Sequence, residues 1–147
     1  MIDFQQLFNS VPDQYLVLSP SLDIMAASHA YLQATLVQRD KVIGRPLFEI
    51  FPDNPDDPAA DGVRNLRLSL AQVLRDGIAN TMAVQKYDVR NAEGVFEERF
   101  WSCVNTPILD SNGAVYLIIH RAEDVSDYVR LKRDQQALQS CMAVRWA

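Results

Sequence analysis

The sequence is poor in the groups that build metal and redox centres, with two cysteines and two histidines among 147 residues. Cys103 and Cys141 stand far apart and outside any C-x-x-C arrangement, which excludes a metal knuckle or a disulfide framework and predicts free thiols in a reducing compartment. Long apolar runs are missing too: no stretch approaches the ~20 residues that span a bilayer. The opening Met1-Ile2-Asp3-Phe4-Gln5-Gln6 lacks the basic start and apolar core of a signal peptide. Together these predict a cytoplasmic domain with no membrane contact by this segment, while leaving open a spanning segment elsewhere in a longer parent.

Positive charge is scarce as well. Fourteen Lys and Arg face 19 Asp and Glu, for a net charge of -5, and a phosphate-binding surface needs the opposite balance. The basic residues are also scattered: Arg64 and Arg67 lie among apolar positions, and Arg130, Lys132 and Arg133 are flanked by Asp127 and Asp134. Nucleic acid is therefore excluded as a partner. No G-x-S-x-G, H-E-x-x-H or P-loop pattern occurs, and the five glycines all fall at turns or helix ends. A non-catalytic chain is predicted. Asp53, Asp56, Asp57 and Asp61 lack the spacing of a calcium loop and are stiffened by prolines, which leaves a solvated acidic loop.

What is present is an ordinary globular composition, 48% hydrophobic and 22% charged, in a length that fits one domain. Phe4, Leu7, Phe8 and Val11 recur at helical spacing before Pro12, predicting a short amphipathic helix from Asp3 to Ser10 that needs a surface to dock on. Tyr15 to Leu18 and Ile24 to Ala27 flank the turn formers Ser19 to Asp23, predicting a hairpin. Ser28 can cap the helix that follows, up to Leu36. Gly44, Pro46, Pro52, Pro55 and Pro58 allow only short turns such as Leu47 to Phe51. From Pro58 a long amphipathic helix is predicted, with Val63, Leu66, Leu70, Val73 and Leu74 on one face and Gly77 at its end.

Three strands are predicted over Thr81 to Arg90, Phe96 to Leu109 and Val115 to Val125, joined by short glycine-bearing loops that favour antiparallel neighbours. After Ser126 the helical period returns, with Tyr128, Leu131, Leu138 and Met142 forming a weak a/d seam interrupted by Gln135. The resulting fold class is α+β: a five-stranded antiparallel sheet with helices on one face, the first hairpin paired beside the last strand. Residues 1–13 form an N-terminal flanking helix, 14–125 the core, and 126–147 a C-terminal helix. The helical pattern reaching Trp146 and Ala147 predicts a fragment of a larger protein.

This order, and four stretches within it, resemble the PAS family from Phe4 to Arg130. Gly113-Ala114-Val115 runs through Tyr116 to Ile119 into Asp124-Val125-Ser126-Asp127, similar to the last PAS strand and the D-[IV]-[TS]-[DE] stretch that opens the output helix. Asn9 to Asp13, Ile43 to Phe51 and Asn105 to Gly113 are similar to other PAS segments in the same order. The resemblance implies a sensory domain of a bacterial signal-transduction protein, such as the histidine kinase of a two-component system, with an effector domain in cis. Asp124 and Ser126 would be the signal relay, accepting hydrogen bonds from free amides at the helix start.

Alignment on that motif places Ile118, His120 and Ala122 on the pocket side of the last strand. Trp101, Cys103 and Asn105 alternate on one face of theirs, pointing toward the helices with Tyr87. Leu66 and Leu70, with Val63, would form the opposite wall. Two readings stand for His120: a buried histidine satisfied by its neighbours, or a cavity group donating to a carboxylate or carbonyl of a ligand. His29 reads as a surface or capping residue. The resemblance also bears on cofactors: flavin-binding relatives carry a reactive Cys before the long helix and haem-binding ones an axial His near it, and neither occurs between Asp53 and Asp76. The expectation is therefore an unknown small ligand bound between sheet and helix and no flavin adduct, with a haem-binding sensor kept as the remoter alternative. The alternative is a ligand-free scaffold that forms a homodimer through its flanking helices.

Overall fold

The computed structural model describes residues 1–146, with side chains to residue 143; Ala147, where the helical pattern read from the sequence ends, lies outside the described residues. In chain order the elements are α1 (Phe4–Ser10), β1 (Tyr15–Leu18), β2 (Ile24–Ala27), α2 (His29–Thr35), α3 (Arg39–Val42), α4 (Leu47–Ile50), α5 (Gly62–Asp76), β3 (Asn80–Thr81), β4 (Gln85–Lys86), β5 (Val89–Arg90), β6 (Phe96–Glu97), β7 (Phe100–Leu109), β8 (Val115–Asp124) and α6 (Ser126–Trp146). The main sheet runs β2-β1-β8-β7-β3, with β4 also paired to β7. All its pairs are antiparallel, and β1 lies beside β8 as the hairpin pattern predicts.

Period-two alternation sets the faces. Leu16 and Leu18 on β1, Ile118 on β8 and Leu70 on α5 are fully buried, and Ile24 and Leu47 close the core around them. The long helix begins at Gly62 rather than Pro58. Asp57 Oδ1 accepts from the Ala59 amide in a local turn, and such side-chain bonds compete with the helical ladder. Asp53 Oδ1, ten residues back, accepts from the Val63 amide at 3.1 Å and serves the helix start in place of Asp61. Gly77 ends the helix at φ 66°.

The strand expected over Thr81 to Arg90 is broken into β3, β4 and β5, and the next is interrupted at Glu98-Arg99. At the break Lys86 Nζ lies 2.8 Å from Asp57, 29 residues away, and 2.9 Å from Asp88, which ties this edge to the acidic loop.

Ser28 joins the first segments. Fully buried, its Oγ accepts from the amides of Tyr15 at 3.0 Å and Tyr31 at 3.3 Å and donates to the Asp13 carbonyl at 3.0 Å. Ser28→Ala leaves three backbone groups without their partner, and should lower unfolding free energy by about 2 kcal/mol or more in urea titration. A loss below about 0.5 kcal/mol would show that the backbone finds other partners.

Candidate functional site

The inward faces of β7 and β8 meet in register, with Trp101 opposite Asp124, Cys103 opposite Ala122 and Asn105 opposite His120. Between this surface, α2 and the first turns of α5 lies a cavity of about 40 Å³. Of the residues singled out in the sequence, His120, Trp101, Cys103, Tyr87 and Leu66 line it, as does Ala122. Asn105, Ile118 and Leu70 are buried outside its wall, and Asn105 stands directly behind His120. His29 is exposed. Tyr31, Thr35, Phe51, Met82, Asp88 and Val89 also line the cavity. They come from α2, from irregular chain and from a two-residue strand, where no alternation marks a face.

Tyr87 closes one side. Its ring packs on the first turn of α5 at a place only glycine permits, since a Cβ on Gly62 would stand 2.5 Å from the ring. The Tyr87 hydroxyl donates to the Phe51 carbonyl, and the Tyr87 carbonyl accepts from Trp101 Nε1 at 2.8 Å. The space holds a few small-molecule atoms or waters, whereas sites for drug-sized ligands run to roughly 300–1,000 Å³.

The wall is electrically quiet. Burial lowers the His120 imidazole to about 4, so the ring is neutral near pH 7. Burial also pushes the Cys103 thiol up to about 12 and raises the Tyr31 and Tyr87 phenols, so none is an ionised nucleophile. A hydrogen-bond chain leads away from the cavity: His120 Nδ1 meets Asn105 Oδ1 at 2.6 Å, Asn105 Nδ2 donates to Ser69 Oγ at 2.9 Å, and Ser69 donates to Asn80 Oδ1 at 2.6 Å. Among the described residues, no group of three or more His, Cys, Asp or Glu is placed to hold a metal ion. No helix there is long and apolar enough to cross a membrane.

Two residues beyond Ala122, the same strand reaches the start of α6. Asp124 Oδ1 accepts from the Ser126 amide at 2.9 Å, in the capping role read from the sequence. Ser126 acts differently: its buried Oγ reaches across to accept from the Phe100 amide of β7 at 2.9 Å, and the Val125 amide donates to the Phe100 carbonyl at 2.9 Å. Arg99 Nε stands 3.6 Å from Asp124. Farther along α6, Arg130 Nη2 donates to the Glu98 carbonyl at 2.8 Å, and the Arg133 guanidinium lies 4.8 Å from the centre of the Phe100 ring.

A family model described as PAS fold matches residues 8–130. A search of curated proteins returns no match. Among solved structures, the PAS domain of Bordetella pertussis BvgS superposes with a TM-score of 0.63 at 20% identity, over 94% of this chain and 95% of that one. The PAS domain of the nitrogen regulation protein NR(II) from Vibrio parahaemolyticus gives 0.62 at 14% identity, over 84% and 99%. An RNA-binding light-oxygen-voltage receptor gives 0.67 at 18% identity over 97% of this chain, which spans only 36% of that receptor. At these identities the structural likeness speaks for the fold, and with the family match over most of the chain it has one reading: the protein belongs to the PAS fold family.

Proposed function

We propose that this chain is a sensory domain that takes a small molecule between its sheet and α5 and relays occupancy to α6. The observation that carries this reading is continuity along one strand pair. Trp101, Cys103, His120 and Ala122 line the cavity, and the next residues, Phe100 and Asp124 to Ser126, clasp the helix start. A ligand moves α6 only if it favours one packing of that wall over another. The parent protein is then a bacterial signalling protein, such as a sensor histidine kinase, with its effector domain following α6.

A second reading, an empty domain that dimerises, is favoured by what the flanking helices expose. Phe4 and Leu7 on α1 are 71% and 54% exposed, and Tyr128, Leu131, Leu138 and Met142 on α6 all exceed 50%. That stripe suits a second copy of the chain. On its other side α1 rests on the domain, where Phe8 stacks against Tyr15 with centroids 6.4 Å apart.

Native mass spectrometry of the purified protein, with an absorbance scan, separates the two. The sensory reading predicts a mass excess from a retained small ligand, or a saturable gain in melting temperature with one member of a metabolite panel. A clean apo dimer that no compound stabilises would favour the scaffold. For the relay, Ser126→Ala strands the buried Phe100 amide. Hydrogen exchange at the first turn of α6 should then quicken about tenfold while the β1–β2 hairpin keeps its protection. Equal exchange in the variant would remove Ser126 from the joint.

A further inference from the structure

The hydrogen-bond chain behind His120 fixes which kind of molecule the cavity can hold. Ser69 spends its single hydroxyl proton on Asn80 Oδ1, so toward Asn105 it can only accept. Asn105 therefore turns its amide nitrogen to Ser69, and the same nitrogen lies 3.6 Å from the Met82 sulfur, which also only accepts. Its carbonyl oxygen is left facing His120, where it accepts from Nδ1–H at 2.6 Å. A neutral imidazole with its proton on Nδ1 carries a bare lone pair on Nε2. Among the described residues that nitrogen has no hydrogen-bond partner, and neither has the Tyr31 hydroxyl, whose residue is 5% exposed and lines the same cavity. The two rings meet edge to face with centroids 6.0 Å apart.

The rest of the lining adds no free charge. Asp88 brings the one carboxyl group on the wall, and it is held by Lys86 at 2.9 Å and by Asn54 Nδ2 at 3.0 Å. An anion finds no unpaired cation here and meets a carboxylate instead. A cation would shed its water for apolar walls and a carboxylate already matched. We propose that the cavity selects a small uncharged molecule bearing a hydroxyl, an aliphatic alcohol, which donates to Nε2 of His120 and sets its alkyl part against Leu66, Met82 and Trp101. The ring thus accepts, the reverse of the donor role that its sequence position suggests. The hydroxyl oxygen remains free to accept from Tyr31. This selectivity rests on the reading of the cavity as a ligand site.

The test is a long-range proton–nitrogen NMR spectrum of the ¹⁵N-labelled protein near pH 7, followed by titration with four probes of similar size: ethanol, acetonitrile, acetate and ethylammonium. The expected result is a His120 ring protonated on Nδ1, with a saturable upfield shift of Nε2 for ethanol alone. A ring protonated on Nε2, or saturable binding of acetate, ethylammonium or acetonitrile as strong as that of ethanol, overturns the alcohol class and leaves the sensory reading standing. A ring protonated on Nδ1 with no probe saturating also overturns the alcohol class, and the sensory reading falls with it only where native mass spectrometry finds no retained ligand and the metabolite panel stabilises nothing.

Discussion

Everything the domain does depends on the register of β7 against β8. Nine paired positions from Trp101–Asp124 to Leu109–Val115 set Cys103 opposite Ala122 and Asn105 opposite His120 on the buried face. A slip of β7 by one residue would turn Trp101 and Cys103 to solvent and bring Ser102 and Val104 inside, so burial of one face specifies the pairing strongly. The same register brings the end of β8 beside the beginning of β7. There Ser126 takes the Phe100 amide and the Val125 amide takes the Phe100 carbonyl.

Cavity and joint are therefore two stretches of one ladder. At one end the wall is mostly apolar, its Asp88 carboxylate already paired with Lys86, with a neutral imidazole anchored through Asn105 and Ser69 to α5 and β3. At the other, α6 is held by short bonds to backbone and by charges on its outer side, including Arg130 and Arg133 around Glu98. Exposed ion pairs contribute little individually, which leaves the buried Ser126 bond as the stronger tie between sheet and helix. No irregular stretch longer than Val125 separates β8 from α6, and this is the route that the proposed relay uses.

Much of this was legible in the sequence because it is written in local patterns. Ser28 before an apolar-periodic run, Gly77 after one, and the turn formers between Leu18 and Ile24 each have a local meaning, and each lies where that meaning puts it. Alternation in Trp101-Ser102-Cys103-Val104-Asn105 marked the inner face of β7. Local patterns do not report tertiary ties. The Asp53 carboxylate that serves the start of α5 and the Lys86 bridge to Asp57 and Asp88 join residues 10, 29 and 2 positions apart, and they lie where α5 begins and where the third strand is broken. Tyr31, Phe51 and Met82 reach the cavity from segments with no sheet period. Asn105 and His120, read as two wall groups, are one wall group and its support.

The central claim is that the cavity and the helix joint are mechanically one. It is tested most directly by changing the cavity from the side that does not touch the joint. Leu66→Ala on α5 enlarges the space opposite the sheet, and amide chemical shifts can be compared with wild type across the chain. The account predicts changes that run through Trp101 and Cys103 into Ser126 to Leu131 and spare the tip of the β1–β2 hairpin. Changes confined to α5 and its immediate neighbours, with Ser126 to Leu131 unmoved, would contradict it.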